Sequence, residues 1–334
     1  MKIKTYFIIA GKKYKLTLLG KFAFLFFGIF SALLIGELMV RVFLPFPLQK
    51  EYMIFMCSNY QRIDRNRLDK ALLWSPFFEF YGREYSLNKN SDLLRILCMG
   101  DSVTQGFHGK YGPMQIAETY PYKLEKLLQK YFNTKAIEVI NAGQGGYSSY
   151  QGLRYLNSLT KYKPDLVISW FGTNDSSDAF FYEDKEQKIA NKDMPKIQSI
   201  LGHSSLYLLL KNYPMLIKMS LFGKPRVSAE DYYKNCEKML KIARKNNFKI
   251  VFIAPFLVNR KNNSWYYLEL YRKALLDLKQ KYDCKVLDIP PYLPKEDLNK
   301  LFSDSCHPTN VGNASIANII YEQLNEKIML LIGN

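Results

Sequence analysis

The chain of 334 residues combines 48% hydrophobic with 23% charged residues, an ordinary composition for a folded protein that excludes global disorder. Its net charge of +17 is diffuse, because the first 45 residues carry seven basic groups and one acid, a net of +6, and the remaining +11 is spread along the chain. Neither zinc-finger spacing nor a basic zipper accompanies this charge, so we expect no nucleic-acid partner and instead an attraction to anionic lipid or acidic polysaccharide.

An apolar segment without charged residues lies near the N-terminus, at 22–36. This stretch alone spans roughly 22 Å as a helix, but adding residues 16–20 brings the span to about 31 Å, close to the ~30 Å hydrocarbon core of a bilayer. We therefore predict a transmembrane helix within residues 16–44, ended by Pro45 and Pro47. A cleaved signal peptide is the alternative, although no small-x-small cleavage pattern follows the segment.

The charges on the two sides of this segment predict its orientation. Five lysines lie within residues 1–15, whereas few charges follow the span. The positive-inside rule then keeps the N-terminus cytoplasmic and places the rest of the chain outside the cytoplasm. Glu37 and Arg41 are four residues apart on one helix face, and we expect them to pair at the outer boundary.

The rest of the chain divides into a lead-in segment at 45–91 and a regular domain at 92–334. In this domain, five short apolar runs rich in β-branched residues alternate with amphipathic helical patterns, which predicts a parallel sheet covered by helices on both faces. The strand-like runs are 93–99, 138–141, 165–171, 249–254 and 285–289, and the helical patterns are 121–131, 149–162, 229–246, 265–282 and 310–330. Right-handed crossovers bring the loops after such strands to one edge of the sheet, where ligands bind.

The stretch 176–228 departs from this alternation, and we interpret it as a helical insertion. Its helical pieces are 197–201, 206–213 and 216–222. Two interpretations stay open at this point: an additional helical layer, or a lid or membrane-contacting surface beside the ligand edge of the sheet.

A serine directly follows the first predicted strand, in the sequence GDSVTQG at 100–106. Ser102 would lie in a glycine-containing turn next to a helix N-terminus, where the helix dipole and free N–H groups favour a developing anion. Ser102 is therefore a candidate nucleophile, with a helix N-cap serine as the alternative.

A serine nucleophile needs a base, and the chain has three histidines. His307 lies in the segment DSCHP just before the last helical pattern, three residues after Asp304. The Asp304 carboxylate can accept the Nδ1 proton and direct Nε2 toward Ser102. His108 and His203 are interpreted as ordinary solvated or capping histidines.

Two further loops can supply hydrogen-bond donors to an oxyanion. The glycine-rich sequence NAGQGGY at 141–147 follows the second strand, and its backbone N–H groups can approach a substrate closely. The sequence GTND at 172–175 follows the third strand and offers the side-chain amide of Asn174. A well-aimed donor is typically worth ~3–4 kcal/mol in the transition state, although each loop also fits a plain turn.

Taken together, these four segments resemble the sequence blocks of the SGNH hydrolases, also called the GDSL esterase/lipase family, in order and in spacing. The resemblance runs from about residue 93 to 330. It implies an α/β fold, a three-layer α/β/α flavodoxin-like domain with a parallel sheet. It also implies that Ser102 is the nucleophile, His307 the base and Asp304 the partner that orients the imidazole.

The same resemblance implies an oxyanion hole made of the backbone N–H groups of Ser102 and Gly146 and the side-chain amide of Asn174. The loop offers two glycines, Gly145 and Gly146. We choose Gly146 because it precedes the sequence YSS, as the oxyanion glycine does in similar members of the family.

These observations predict a membrane-anchored serine hydrolase that cleaves acyl esters, acetyl among them, of a cell-envelope glycan or lipid through an acyl-enzyme. An O-acyltransferase acting on envelope polysaccharide is one alternative, and a catalytically silent envelope-binding scaffold is another. No metal or organic cofactor is implied, since the five cysteines form no CxxC pair and no Cys/His cluster. A Cys236–Cys284 disulfide remains open beside the interpretation of all cysteines as small, partly buried thiols.

Overall fold

The structure, a computed structural model, describes most of the chain outside the lead-in segment and the middle of the predicted insertion. The described residues are 6–9, 12–15, 17–43, 80, 83–109, 112–179, 183–186, 201, 203–207, 209–210, 224–258, 264–282 and 284–332. They fall into two compact units, which are treated separately: Met1–Met56 with Ala190–Lys218, and Cys57–Ile189 with Met219–Asn334.

The first unit contains a β-hairpin followed by a long apolar helix. Strands β1 (Tyr6–Ile9) and β2 (Lys12–Lys15) pair antiparallel, and helix α1 (Leu18–Phe43) follows them. Within the described residues, α1 is the one helix long and apolar enough to cross a membrane. Its 26 residues extend about 39 Å, and its large side chains are exposed, with Phe26 at 74%. This helix lies within the predicted span.

The C-terminal half of α1 contacts a short helical turn at 205–207 through one carboxylate. Glu37 accepts hydrogen bonds from the backbone N–H groups of Ser205, at 2.9 Å, and of Leu206, at 2.8 Å. The carboxylate thus satisfies donors that the start of a helix leaves without an intrahelical partner. Arg41 pairs with Glu37 at 2.7 Å, as the four-residue spacing predicts.

The second unit is built on a five-stranded parallel sheet. Its strands are β3 (Leu94–Gly100), β4 (Ile137–Gly143), β5 (Leu166–Trp170), β6 (Lys249–Ile253) and β7 (Lys285–Leu287), in the spatial order β4-β3-β5-β6-β7. Every residue of β3 and β5 is buried, because helices cover both faces. The strand order is that of flavodoxin-like folds, and the switch in winding direction falls at β3.

The helices of this unit form two groups. They are α2 (Ser102–Gln105), α3 (Tyr120–Tyr131), α4 (Ser149–Leu159), α5 (Ala229–Lys245), α6 (Ser264–Tyr282), α7 (Leu298–Leu301) and α8 (Asn310–Ile332). Helices α3 and α8 pack against each other, while α5 packs against both α4 and α6. The core on the α3 and α8 side includes Ile96 and Cys98 of β3, Leu124 of α3 and Ile320 of α8. The predicted three-layer α/β fold with a parallel sheet is confirmed.

Local sequence explains where several helices begin and end. Helix α5 starts after the N-cap Ser228, whose hydroxyl accepts from the N–H of Asp231 at 3.2 Å. Its first turn carries acidic residues and its last turn carries Arg244 and Lys245, which complements the helix dipole at both ends. Helix α3 has Pro121 in its first turn, where a missing N–H costs no hydrogen bond.

The two ends of the predicted insertion pair with each other as extended backbone. Ala179 N–H donates to Lys224 O at 2.7 Å, and Val227 N–H donates to Asp175 O at 3.1 Å. Of the predicted helical pieces, residues 201, 206–207 and 209–210 are helical. The rest of the pieces at 197–201, 206–213 and 216–222 lies outside the described residues, as does the lead-in segment except for 80 and 83–91.

The cysteine alternatives are also decided by the structure. Cys236 and Cys284 are both buried, and no disulfide joins them. Cys98 and Cys306 form no disulfide either, and Cys57 lies outside the described residues. Buried thiols of this kind pack as small hydrophobic side chains.

Candidate active site

Ser102 lies at the carboxyl end of β3, at the first residue of the short helix α2. Asp101 caps this helix, because its side chain accepts a hydrogen bond from Val103 N–H at 2.9 Å. The helix ends at Gly106 in the left-handed region. Strand, cap and helix start therefore hold the Ser102 hydroxyl at the ligand edge of the sheet, at the point where the winding reverses.

The structure brings His307 and Asp304 to this serine. Ser102 Oγ lies 2.9 Å from His307 Nε2, although the two residues are 205 positions apart in the chain. On the other side of the ring, His307 Nδ1 lies 2.7 Å from Asp304 Oδ2. This is the Ser–His–Asp arrangement expected from the sequence, and it requires the tautomer with the proton on Nδ1.

Asp304 is held as a carboxylate by its own loop. Its Oδ1 accepts from the backbone N–H groups of Cys306, at 2.9 Å, and of His307, at 2.8 Å. Partial burial acts to raise the pKa of Asp304, but these hydrogen bonds and the contact with the imidazole outweigh it and keep the pKa below its usual value. Asp304 therefore stays ionised and available to the imidazole at neutral pH.

The glycine-rich loop after β4 presents one of its two glycines with a free N–H. Gly145 N–H donates to the side chain of Gln105, at 3.0 Å from Oε1. Gly146 has a φ of +81°, and among the described residues no protein acceptor bonds its N–H. A donor already engaged in the fold is a poorer candidate for an oxyanion, and this favours Gly146 over Gly145.

Asn174 lies at the same edge, in the loop after β5. Its side-chain amide donates to Tyr147 O at 3.1 Å and to Asp101 Oδ2 at 3.3 Å, so it links the three loops that surround Ser102. The contact with Asp101 is the longer and weaker of the two. We expect this second N–H to be the one available to a bound oxyanion.

Two buried carboxyl groups support these loops. Asp175 accepts the N–H of Ser149 at 2.9 Å, which joins the Asn174 loop to the start of α4. Burial raises the pKa of Asp175 to about 7 and that of Asp101 to about 6, although hydrogen bonds and nearby positive charge oppose the shift in both. These shifts come from desolvation of groups that are enclosed by the fold.

The structure shows one backbone contact for each of the other two histidines. The backbone N–H of His108 donates to Gly112 O at 2.7 Å in a turn after α2. His203 belongs to the first unit, where its carbonyl accepts from Arg41 at 3.1 Å. Their interpretation as ordinary histidines stays a prediction.

Some of the groups that shape the site were missed by the sequence analysis. Gln105, which lies inside the GDSVTQG motif but was given no role, binds the glycine loop, and Arg226 donates to Gly146 O at 2.9 Å while pairing with Asp184. Neither Arg226 nor Asp184 belongs to a recognisable motif, and they are 42 positions apart. Only their meeting in the folded chain identifies them.

One group of side chains could hold a metal ion. Asp304, Cys306 and His307 each place one ligand atom within 4.8 Å of the others. The imidazole Nδ1 in this group is already hydrogen-bonded to Asp304, and burial raises the pKa of the Cys306 thiol well above its usual value. These donors fit the proton-transfer arrangement better than they fit a resident metal, because a metal needs a thiolate and an unprotonated Nδ1.

Comparison with known proteins adds named relatives. A 113-residue stretch is 31% identical to an acetylxylan esterase of Xylanibacter ruminicola, covering 29% of this chain and 22% of that protein. The match thus spans about a fifth of the length of that curated relative. Similar solved structures include a lipase/acylhydrolase from Enterococcus faecalis (18% identity, 70% of this chain and 97% of that chain, TM-score 0.48). A catalytic mutant of an acetylxylan esterase from Geobacillus stearothermophilus is also similar (18% identity, 71% of this chain and 96% of that chain, TM-score 0.47).

The decisive comparison is with a family model. The GDSL-like lipase/acylhydrolase family matches residues 98–314, more than half of the chain. The matched range begins within β3 and ends within α8, so it contains Ser102, the glycine loop, Asn174 and His307. The chain therefore belongs to the GDSL-like lipase/acylhydrolase family, the SGNH hydrolases.

Proposed function

We propose that this protein is a serine esterase that removes acetyl or other short acyl groups from a glycan or lipid of the cell envelope. The observation that carries the proposal is the chain of contacts from Ser102 Oγ to His307 Nε2, at 2.9 Å, and from His307 Nδ1 to Asp304 Oδ2, at 2.7 Å. Both distances lie within hydrogen-bond range, as base-assisted attack by a serine requires.

In the first half of the proposed reaction, Ser102 Oγ attacks the ester carbonyl carbon while its proton moves to His307 Nε2. The imidazolium that forms is stabilised by the Asp304 carboxylate, whose lowered pKa keeps it ionised. The π electrons of the carbonyl group move to its oxygen, which becomes the oxyanion. When the tetrahedral intermediate collapses, His307 returns the proton to the leaving alcohol oxygen, and the acyl group remains on Ser102.

In the second half, water takes the place of the alcohol. A water molecule gives a proton to His307 Nε2 and attacks the acyl carbon. Collapse of the second intermediate returns the proton to Ser102 Oγ and releases the carboxylic acid. These two steps regenerate the free Ser102 hydroxyl and the neutral imidazole. The reaction consumes only ester and water, so it requires no cofactor.

The proposed oxyanion hole consists of the N–H groups of Ser102 and Gly146 and the amide of Asn174. The positions of these donors support this assignment, because the segments that carry them follow β3, β4 and β5, three adjacent strands of one sheet. Asn174 contacts both neighbouring loops, and the N–H of Gly146 has no acceptor among the described residues. Donors that are fixed before the reaction stabilise the developing charge without reorganisation.

The substrate class rests on the relatives and on charge. The curated relative that matches part of this chain is named an acetylxylan esterase. An acetylated carbohydrate is therefore the substrate class to test first. The net charge of +17 favours polymers that also carry acidic groups.

The proposed location is a single-pass membrane anchor with the second unit outside the cytoplasm. Helix α1 is long enough to span a bilayer and exposes its apolar side chains. The basic residues before it predict a cytoplasmic N-terminus. Such an anchor would keep the enzyme near envelope polymers.

The experiment that tests the activity is covalent labelling combined with an ester assay. Wild-type protein should react with a fluorophosphonate probe at Ser102 and release acetate from acetylated xylo-oligosaccharides. Ser102→Ala should show neither, because the hydroxyl proposed to attack the ester is removed. Ser176→Ala is the matched control, since Ser176 lies in the loop after β5 and its hydroxyl bonds Thr173 O at 2.8 Å. Activity that persists in Ser102→Ala, or wild-type protein that takes no label, contradicts the proposal.

A further inference from the structure

Gly146 is fixed by contacts on both of its sides. The preceding residue is held through Gly145 N–H, which donates to Gln105 Oε1 at 3.0 Å. The carbonyl oxygen of Gly146 accepts from Arg226 Nη1 at 2.9 Å. The N–H proposed to bind the oxyanion therefore lies between two anchored points, although its own φ of +81° belongs to a region that glycine enters and leaves easily.

The guanidinium that holds this carbonyl is itself held rigidly. Arg226 is 8% exposed and Asp184 is 1% exposed. Arg226 Nε lies 3.1 Å from Asp184 Oδ1, and Nη2 lies 2.8 Å from Oδ2, a two-point contact that fixes the plane of the guanidinium. The remaining nitrogen, Nη1, then points at Gly146 O. A lysine could not make these three contacts from one rigid plane.

Asp184 extends the same network to the start of α4. Its Oδ2 accepts from Ser148 Oγ at 2.6 Å and from Gln151 Nε2 at 3.1 Å. Ser148 is the N-cap of α4 and lies two residues after Gly146. One buried carboxylate thus joins Arg226, the glycine loop and the helix that follows it.

The backbone near Arg226 and Asp184 is paired as well. Asp184 N–H donates to Arg226 O at 2.8 Å, and Arg226 N–H donates to Ser177 O at 2.8 Å. The two ends of the stretch interpreted as an insertion are therefore built into the active-site edge.

We propose that Arg226, fixed by Asp184, is a positioning residue that aims the Gly146 N–H at the oxyanion. This inference rests on the proposed esterase function. Arg226 bonds a backbone carbonyl rather than the substrate, so it acts by preventing rotation of the peptide units around Gly146. Oxyanion donors are effective because they are fixed in advance, and a displacement of about 1 Å can cost about 100-fold in rate.

The test uses Arg226→Lys, which keeps the positive charge but loses the planar contact. We expect kcat to fall by about 10- to 100-fold while KM changes by less than about threefold, since the loss occurs mainly in the transition state. The inhibition constant of a trifluoromethyl ketone, whose adduct with Ser102 carries an oxyanion, should rise by the same factor as kcat/KM falls. Asp184→Asn, which loosens the same guanidinium, should change both values in the same direction.

Arg95→Lys is the matched control for a purely structural effect. Arg95 is 1% exposed, pairs with Glu138 at 2.5 Å and donates to Tyr162 O at 2.6 Å. It therefore has the same chemistry as Arg226 but lies near the start of β3, at the opposite end of the strand from Ser102. We expect it to lower Tm as much as Arg226→Lys does and to leave kcat and the inhibition constant within about twofold.

The possible outcomes separate the two proposals. If Arg226→Lys and Asp184→Asn keep kcat and the inhibition constant within about twofold of wild type, the positioning role is refuted. It is also refuted if all three variants lose activity in proportion to their loss of Tm. Failure of wild-type protein to react with the fluorophosphonate would instead count against the esterase function. All assays are run below the lowest Tm of the set, so that each variant is measured in its folded state.

Discussion

At the scale of single residues, the backbone of the loop after α2 packs closely against the side chain of Asp304. Gly109 has a φ of +46°, and a Cβ at this position would lie 2.7 Å from Asp304 Oδ2, the oxygen that contacts the imidazole. Phe107 in the same loop places its ring 5.6 Å from the His307 ring. The loop thus packs against the base and its partner together, and this position has no room for a side chain.

Gly109→Ala should therefore impair catalysis through Asp304. The new methyl group would push Asp304 Oδ2 away from His307 Nδ1, and we expect kcat to fall on the order of 10- to 100-fold. Steady-state kinetics with an acetyl ester measures the change.

Gly112→Ala supplies the control for the backbone effect alone. Gly112 also has a positive φ, of +87°, but a Cβ there meets nothing within 4 Å. Both variants should lose about 1 kcal/mol of stability from strain, while only Gly109→Ala should lose activity. Equal activity in the two variants would show that the approach to Asp304 has no catalytic consequence.

At the scale of elements, helix α1 combines an apolar surface with one partly buried polar contact. Glu37 binds the N–H groups of Ser205 and Leu206, and the Ser204 hydroxyl donates to it at 2.8 Å. Arg41 adds a hydrogen bond to His203 O at 3.1 Å. Removing α1 by proteolysis would leave these donors and acceptors without their partners, and this supports a helix that stays in the mature protein.

We expect α1 to be retained after membrane insertion. Protein expressed from this 334-residue sequence and extracted from membranes should keep the full mass of 39.1 kDa, and peptides from α1 should be found by mass spectrometry. An N-terminus beyond Phe43 in the mature protein would show instead that the helix is a cleaved signal.

A variant that creates a cleavage site makes this test more stringent. Leu38→Ala combined with Val40→Ala introduces the small-x-small pattern that the natural sequence lacks. At least part of this variant should appear at the shorter mass, which would prove that signal peptidase can reach the segment. Retention of α1 in the wild type then reflects its sequence and not poor access.

At the scale of the whole molecule, buried carboxyl groups link stability to pH. The pKa of Asp175 is raised to about 7 and that of Asp101 to about 6, mainly by burial. Between pH 4 and 7 the unfolded chain has released these protons while the folded chain still binds them. The free energy of unfolding should therefore decrease as pH rises through this window, since stability follows the state that binds more protons.

Asp175→Asn should reduce this decrease, because asparagine keeps an acceptor for Ser149 N–H but cannot ionise. We expect the Tm of the wild type to fall from pH 4.5 to pH 7, and the slope to be smaller in the variant. One group contributes at most about 1.4 kcal/mol per pH unit. Thermal unfolding in detergent at a series of pH values measures the slopes.

Asp92→Asn, in an exposed turn, is the control for a general change of charge. Its pH slope should match that of the wild type. The lowered pKa of Asp304 has the opposite sign and acts in a different window, because its contribution is present above about pH 4 and is lost as the pH falls further. A wild-type Tm that rises steadily from pH 4.5 to pH 7 would contradict the assignment.

The strands and the main helices were accessible from the sequence because their signals are local, and local signals also proposed the residues of the candidate site. A buried parallel strand is a short apolar run, and Ser102 follows such a run within two residues of its end. Asp304 and His307 are three residues apart, so a single turn of chain can join their side chains. The order of these segments then placed them at one edge of the predicted sheet.

Only the tertiary structure decided which groups hold the site in place. The sequence YSS favours Gly146 over Gly145, but only the folded chain shows that Gln105, the last residue of α2, bonds the N–H of Gly145. Arg226 and Asp184 meet across 42 residues, and no spacing rule links them. Such contacts form where segments that are far apart in the sequence pack together. They depend on how the crossovers place those segments in space, so no periodic pattern in the sequence predicts them.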